Sequence, residues 1–375
     1  MKNKENNTII ICSNFAWTIY NFRLGMIRRF KSEGYKVVVL TQFDGYQDLV
    51  GEEVDEIKPL FISRKGVNPA IDLLTIIHLL FYLLKYNPTF LLTFTIKPVI
   101  YGSIAAKIAN VRSIAMMTGL GTAFIAETWV SKVVRVLYRY ALKSVSCIFF
   151  QNVDDKEIFI SSKLVDPKVC RLCPGSGINV SNYGYTNYPK ASGFVFLLIA
   201  RMLWDKGIGE FVDAARMLKG KYPDVRFQLL GPLGVENRTA IESSKMAEWE
   251  KERFIEYLGE TRNVAAYIKK ASCIVLPSYR EGTSRVLLEA AAMGRPLIAS
   301  DVPGCKEIVD DGVNGYLCEP RDYLSLAKKM ELMLRTPIDT RKDMGILGRE
   351  KIKKQFSEHI VFDLYIKEMR KIHKS

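Results

Sequence analysis

Residues 271–299, ASCIVLPSYREGTSRVLLEAAAMGRPLIA, place a strand, a loop, a capped helix and a second strand in immediate succession. Residues 273–276 are apolar and stop at Pro277, which cannot donate to a ladder, so a buried strand ending there is predicted. A loop follows over 278–283. Ser284 then stands where an N-cap belongs, and Val286, Leu287, Ala290, Ala291 and Met293 recur at helical spacing until Gly294 and Pro296 end the run. Residues 296–299 resume as a strand. The C-terminal end of a buried parallel strand, opening into a capped helix, is where open α/β sheets meet anions, because unpaired N–H groups and the positive end of the helix dipole face the ligand. Glu281 in the loop and Glu289 within the helix add two carboxylates. Phosphate alone would not want them, whereas hydroxyl-rich rings would, since carboxylates accept hydrogen bonds from sugar hydroxyls. That describes a nucleotide sugar; the other reading makes Glu281 a solvated loop charge and Glu289 a helix-surface charge.

Glu281, seven residues, Glu289 and the segment AAAMGRPLIAS resemble the E-x7-E signature of the family 4 retaining glycosyltransferases with the GT-B fold. The resemblance implies an α/β architecture of two Rossmann-like parallel-sheet domains facing a cleft, with a C-terminal helix crossing back to the first domain. It also implies that Glu281 holds the transferred sugar, that Glu289 takes the ribose hydroxyls, and that Gly282, Thr283, Ser284 and Arg285 line the donor. Upstream, the apolar run FVFLLIA leads directly into Arg201 and, five residues on, Lys206. Two cations at the mouth of a strand can converge on one diphosphate, Arg201 by its planar fork and Lys206 as a point charge. The matching pair in the family neutralises the nucleotide diphosphate, so Arg201, Lys206 and Glu281 are the expected catalytic residues. Surface charge is the alternative for the two cations.

With 375 residues the chain is long enough for two domains with separate cores. Its 48% hydrophobic and 25% charged content is that of a globular protein, but the net charge of +14 favours an anionic partner: nucleic acid, a membrane surface or a phosphorylated substrate. No zinc finger, RNA-binding signature or aromatic–basic interleaving accompanies that charge, which argues against a nucleic-acid partner. Strand and helix patterns alternate through the first half, with strands expected near 8–12, 36–40, 90–93, 113–117 and 147–151, and a helix over 21–33. Such alternation predicts a parallel, doubly wound sheet. Residues 183–192, YGYTNYPKAS, lack periodicity and read as a linker. The expected division is therefore a first domain over 1–182, a second over 193–355, and a last amphipathic helix over 356–375 which, by the resemblance, packs on the first domain.

The acceptor side is expected in the first half. The loop after the first strand, SNFAWTIYNFR, offers Asn21 and Arg23, and carries Asn14, Phe15 and Ala16 where many family members have a glycine pair. TFTIKPVIYGSIAAKIA contributes Lys97, and Thr118 and Gly119 open the TGLG segment. TGLG follows a strand but fails the dinucleotide fingerprint, since Phe124 stands at the third glycine position. The NFR, T-x-KP and TGLG windows are similar to bacterial enzymes that extend undecaprenyl diphosphate-linked glycans with an N-acetylhexosamine, such as GalNAc, from a UDP donor.

Residues 71–84 are the most apolar segment, and fourteen residues of helix span roughly 21 Å, short of a ~30 Å hydrocarbon core. A buried helix, or one lying on a bilayer, is expected rather than a span. Lys132, Arg135, Arg139 and Lys143 recur beside Val133, Val134, Leu137 and Tyr140, a basic stripe next to an apolar one, suited to an anionic membrane or a lipid diphosphate, or else a solvated helix face. Seven scattered cysteines, with Cys170 and Cys173 forming a single C-x-x-C, read as reduced, buried thiols, and the polar residues 1–7 do not resemble a signal peptide. These readings lead to a cytoplasmic enzyme peripheral to the inner face of the membrane, acting on a lipid-diphosphate-linked glycan or another cell-surface polysaccharide. Without a D-x-D motif, no metal cofactor is expected, and retention of anomeric configuration is implied by the family. A non-catalytic nucleotide-binding partner protein on the membrane and a retaining sugar phosphorylase are the alternatives.

Overall fold

A computed structural model describes residues 7–63, 68–120, 129–189 and 193–374. The chain divides into two compact units, one formed by Met1–Gly177 with Glu358–Ser375, the other by Ile178–Ser357.

In the first unit the chain runs β1 (Thr8–Phe15), α1 (Ala16–Phe22), α2 (Leu24–Ser32), β2 (Lys36–Gln42), α3 (Gln47–Gly51), β3 (Glu56–Pro59), α4 (Pro69–Tyr86), β4 (Phe90–Phe94), α5 (Ile96–Ile108), β5 (Arg112–Met117), α6 (Trp129–Ala141), β6 (Cys147–Phe150), α7 (Val153–Ser161) and β7 (Cys170–Leu172). The sheet is parallel in the order β3-β2-β1-β4-β5-β6-β7. Strands buried on both faces account for the near-continuous apolar runs in the sequence. One face is covered by α4, α5 and α6, the other by α1 and α2.

The second unit continues with β8 (Val195–Ile199), α8 (Ile208–Lys219), β9 (Arg226–Leu230), α9 (Ser243–Lys251), β10 (Glu256–Tyr257), α10 (Val264–Ile268), β11 (Cys273–Leu276), α11 (Arg285–Ala292), β12 (Leu297–Ser300), β13 (Gly315–Cys318), α12 (Tyr323–Arg335) and α13 (Ile338–Gln355). Its six strands are also parallel, in the order β10-β9-β8-β11-β12-β13. The final helix, α14 (Glu358–Lys374), belongs to the first unit, where the Tyr365 ring packs at a tilt against Phe149 and Phe94 and Glu368 pairs with Arg171 at 3.1 Å.

The two crossings between units lie side by side. Ile178 bridges Ser357, and its N–H donates to the Phe356 carbonyl at 2.9 Å. The crossing thus precedes the stretch expected as a linker, and residues 183–188 are strapped onto the second unit. Thr186 donates to the Met293 carbonyl at 3.2 Å, and the fully buried Arg295 guanidinium donates to the carbonyls of Thr186, Asn187 and Ile268. Residues 190–192 of that stretch lie outside the described residues.

The structure corrects three readings in the first unit. The expected loop after the first strand is absent: β1 extends to Phe15 and α1 begins at once, turned by the Thr18 hydroxyl, which donates to the Phe15 carbonyl at 2.7 Å. The expected single helix over 21–33 is broken at Arg23, which separates α1 from α2. The apolar segment at 71–84 is also longer than read. Asn68 caps α4, Pro69 starts it, and Asn87 in the left-handed region ends it, giving 18 residues, or about 27 Å. By length and composition α4 is long and apolar enough to cross a membrane, and only 28% of it is buried within the unit. Asp72, Thr75, Leu79, Tyr82 and Leu83 face inward, while Leu73, Leu74, Ile77, Phe81 and Leu84 are each 51–64% exposed.

Candidate active site

In an open parallel sheet the ligand crevice forms where the strand order reverses, because loops from neighbouring strands there diverge to opposite faces. In the second unit that point lies between β8 and β11. The loop leaving β8 carries Arg201 and Lys206, and the loop leaving β11 carries Glu281. The two loops are bound together. The Tyr279 N–H donates to the Asp205 carbonyl at 2.9 Å, and the Ser278 hydroxyl to the same oxygen at 3.2 Å. Gly207 adopts φ 71°, and a Cβ there would collide with the Pro277 carbonyl, so the approach requires glycine.

Lys206 Nζ donates to Glu281 Oε1 at 2.6 Å, the two side chains being only 19% and 15% exposed. Residues 75 apart in sequence thus meet at the strand tips. The Glu281 N–H is fixed to the Pro303 carbonyl at 3.1 Å, and the Ser284 N–H to Gly304 at 3.0 Å. Glu307 Oε2 accepts from the Gly304 N–H at 2.7 Å, so the loop after β12 closes a third side. The Cys305 thiol, wholly buried beside this cluster, is pushed well up by burial, with Glu281 adding to the effect and Lys206 opposing it. It carries no nucleophilic role at neutral pH.

Ser284 is the N-cap of α11, its hydroxyl accepting from the Leu287 N–H at 3.4 Å. The first turn of α11 opens at Arg285, and a helix N-terminus carries partial positive charge, here beside Glu281. Gly282 and Thr283 are half-buried in the connecting loop. Glu289, on the same helix, is buried, and its Oε1 accepts from Arg285 Nε at 3.0 Å and from the Tyr183 hydroxyl at 2.9 Å. Arg201 differs from its expected partner: its side chain is exposed and makes no recorded hydrogen bond or ion pair among the described residues.

The acceptor-side candidates of the first unit lie near the reversal between β1 and β4. Asn21 turns outward, its amide donating back to the Trp17 carbonyl at 2.8 Å. Arg23 turns inward and is buried: its guanidinium sits 4.0 Å from the Phe94 ring centroid, with Nη2 3.3 Å from Met116 Sδ. Thr95, at the tip of β4, has φ 71°, a strained conformation for a β-branched residue. Lys97 is not free; it pairs with Asp72 of α4 at 3.0 Å, and Tyr101, whose phenol is pushed well up by burial and by its bond to Asp72, completes the group. Thr118 and Gly119 are half-buried after β5, whereas Gly121 of the TGLG segment lies outside the described residues. On α6, Lys132 and Arg139 are exposed and Arg135 half-buried, with Lys143 exposed just beyond the helix.

Sequence reasoning missed Tyr183, hidden in a stretch without periodicity, and Glu210 of α8, which accepts from the Tyr279 hydroxyl at 2.6 Å and steadies the loop. The Y-R-E order before Gly282 was a visible signal for Tyr279; nothing in the sequence signalled Tyr183.

Comparison with known proteins agrees with this fold. The family described as "Glycosyl transferases group 1" matches residues 193–336, and "Glycosyl transferase 4-like" matches residues 9–152. Together these take in more than half of the chain, which belongs to the family 4 glycosyltransferases. The chain is 28% identical to the N,N'-diacetylbacillosaminyl-diphospho-undecaprenol alpha-1,3-N-acetylgalactosaminyltransferase of Campylobacter jejuni, over 86% of this chain and 88% of that protein. It is 25% identical to the UDP-Gal:alpha-D-GlcNAc-diphosphoundecaprenol alpha-1,3-galactosyltransferase of Escherichia coli, over 72% of each. Among solved structures, sucrose-phosphate synthase from Thermosynechococcus elongatus superposes with a TM-score of 0.81 at 18% identity, covering 98% of this chain and 99% of that one. Anabaena HepE in complex with UDP and glucose gives 0.77 at 16%, covering 96% and 99%. The fold is GT-B, and the chain is a glycosyltransferase.

Proposed function

We propose that the protein is a retaining, metal-independent glycosyltransferase that moves an N-acetylhexosamine, such as GalNAc, from a UDP donor to a lipid-diphosphate-linked glycan. The observation that carries the reading is the Lys206–Glu281 pair at the β8/β11 reversal, beside the N-terminus of α11. Breaking the anomeric bond sends its electron pair to the phosphate oxygen of the nucleoside diphosphate. Lys206, Arg201 and the first-turn amides of α11 oppose that developing charge without needing to reorganise. Each member of the pair is the other's partner in the structure; a diphosphate engaging Lys206 releases the Glu281 carboxylate to accept from hydroxyls of the departing sugar. Glu289 takes the ribose hydroxyls. The acceptor hydroxyl bonds to the anomeric carbon on the face the phosphate leaves, and its proton passes to the leaving phosphate oxygen. The printed activities of the Campylobacter and Escherichia relatives, both acting on diphospho-undecaprenol glycans, support this acceptor class.

A lipid-linked acceptor requires a membrane surface. In the first unit α4 and α6 both pack against α5 on one face of the sheet. They carry the exposed row of Leu73, Leu74, Ile77, Phe81 and Leu84 together with the α6 cations and the exposed Val136. An apolar patch of that extent beside basic residues suits an anionic bilayer, with the cations meeting headgroups and the apolar row entering the acyl boundary.

The test is thermal stabilisation across a panel of nucleotide sugars, followed by glycan transfer to a lipid-diphosphate acceptor. A ligand at 100 times its dissociation constant stabilises the folded chain by about 2.7 kcal/mol, enough for a shift of several degrees. UDP-linked N-acetylhexosamines are expected to give the largest shift. No shift with any nucleotide sugar at millimolar concentration refutes the proposal.

A further inference from the structure

We propose that Tyr183 is a positioning residue for the donor's nucleoside: it fixes the Glu289 carboxylate so that one oxygen is held and the other is presented to the ribose. This rests on the reading of Glu289 as the ribose carboxylate and adds a residue to it.

Three observations carry it. Glu289 Oε1 accepts from both the Tyr183 hydroxyl at 2.9 Å and Arg285 Nε at 3.0 Å, while Oε2 has no recorded partner among the described residues. The backbone that carries the phenol is itself held. Arg349 Nη1, from α13, donates to the Tyr183 carbonyl at 2.8 Å and also to Ala292 at the end of α11, tying the strap to the helix that carries Glu289. Three residues further on, Thr186 donates to Met293, and Arg295 clamps residues 186 and 187 from a fully buried position. The strap is therefore fixed at Tyr183 and again three to four residues beyond it. Finally, Tyr183 stays a donor: burial first, and then the Glu289 charge, push its pKa up to about 12, so the O–H is present throughout the working range.

The physical effect is preorganisation. A glutamate side chain has three rotatable bonds, and freezing them on binding costs affinity unless the protein has already done so. Arg285 alone holds one edge of the carboxylate from its own helix; Tyr183 holds it from a separate segment and removes the remaining rotation. Ribose hydroxyls then find an acceptor already in place.

The test is calorimetric titration of the full chain with UDP and with 2′,3′-dideoxy-UDP, for the wild type, Tyr183→Phe, Glu289→Gln and the double variant. Phenylalanine retains the ring, and melting curves check that each variant folds. The wild type is expected to prefer UDP by at least tenfold. Losing one charged hydrogen bond should reduce that preference in Tyr183→Phe by about tenfold, with no further loss when it is added to Glu289→Gln. If Glu289→Gln abolishes the preference while Tyr183→Phe retains it, or if the two losses add in full, the positioning role is overturned and the ribose role survives. If the wild type does not distinguish the two nucleotides, the ribose role itself falls, and this inference with it.

Discussion

Replacing Lys206 with methionine separates what the 206–281 pair does for stability from what it does for chemistry. The ammonium lies 2.6 Å from a carboxylate, and both side chains are less than one-fifth exposed. Removing one partner of a fully buried pair costs about 3–5 kcal/mol because the other charge stays behind desolvated; with this residual exposure the loss is about 2–3 kcal/mol. For a unit of this size that corresponds to a fall of roughly 5–10 °C in the melting temperature. Adding Glu281→Leu removes the stranded charge, and the double variant should regain most of the melting temperature, since a packed apolar pair replaces an ion pair at little cost. Turnover should behave differently. Losing a preorganised charge aimed at the leaving group lowers kcat by about 10²–10³, and no apolar repacking restores it. The assays are calorimetric melting and release of nucleoside diphosphate from the donor. If Lys206→Met keeps turnover within about threefold of wild type, or if the double variant recovers it, the pair is architecture and the proposed chemistry is wrong.

Reversing Arg135 and Arg139 to glutamate should weaken sedimentation with anionic liposomes by at least thirtyfold, as each cation near such a surface contributes about 1 kcal/mol. Changing Ile77 and Phe81 to serine should weaken it further, and unaltered binding in both variants would make α4 and α6 ordinary solvated faces. All seven cysteines are buried and free, and burial pushes the thiols of Cys147, Cys173 and Cys318 up to about 12. These groups stay protonated below that pH, so at pH 8 the native chain should resist a thiol-reactive dye and label fully in denaturant; rapid native labelling of two or more would contradict the burial. Extensive dialysis against EDTA should leave transfer activity within about twofold, whereas loss reversed by added divalent cation would reject the metal-independent mechanism.

Much of the architecture was legible because the strands are buried on both faces and so appear as uninterrupted apolar runs. The site around α11 was legible for a related reason. Ser284, Glu281 and Glu289 sit at positions fixed by local geometry, where a strand stops, a loop turns and a helix begins. Contacts between distant segments were not. Lys97 appears in sequence as a free cation, yet Asp72, 25 residues earlier, neutralises it. Arg23 resembles a ligand-facing side chain in its loop and is instead folded beneath the strand tips onto Phe94. The α4 segment illustrates another limit: hydropathy reports how apolar a helix is, and says nothing about which side its neighbours cover.

The adjoining crossings at Gly177/Ile178 and Ser357/Glu358 make the second unit one uninterrupted insertion within the first. A segment whose entry and exit are neighbours can be lifted out whole, with its own sheet and core, leaving two host ends close enough to rejoin. If the second unit binds the donor as proposed, transplanting that single stretch of gene between relatives would exchange donor preference and leave the host unit unchanged.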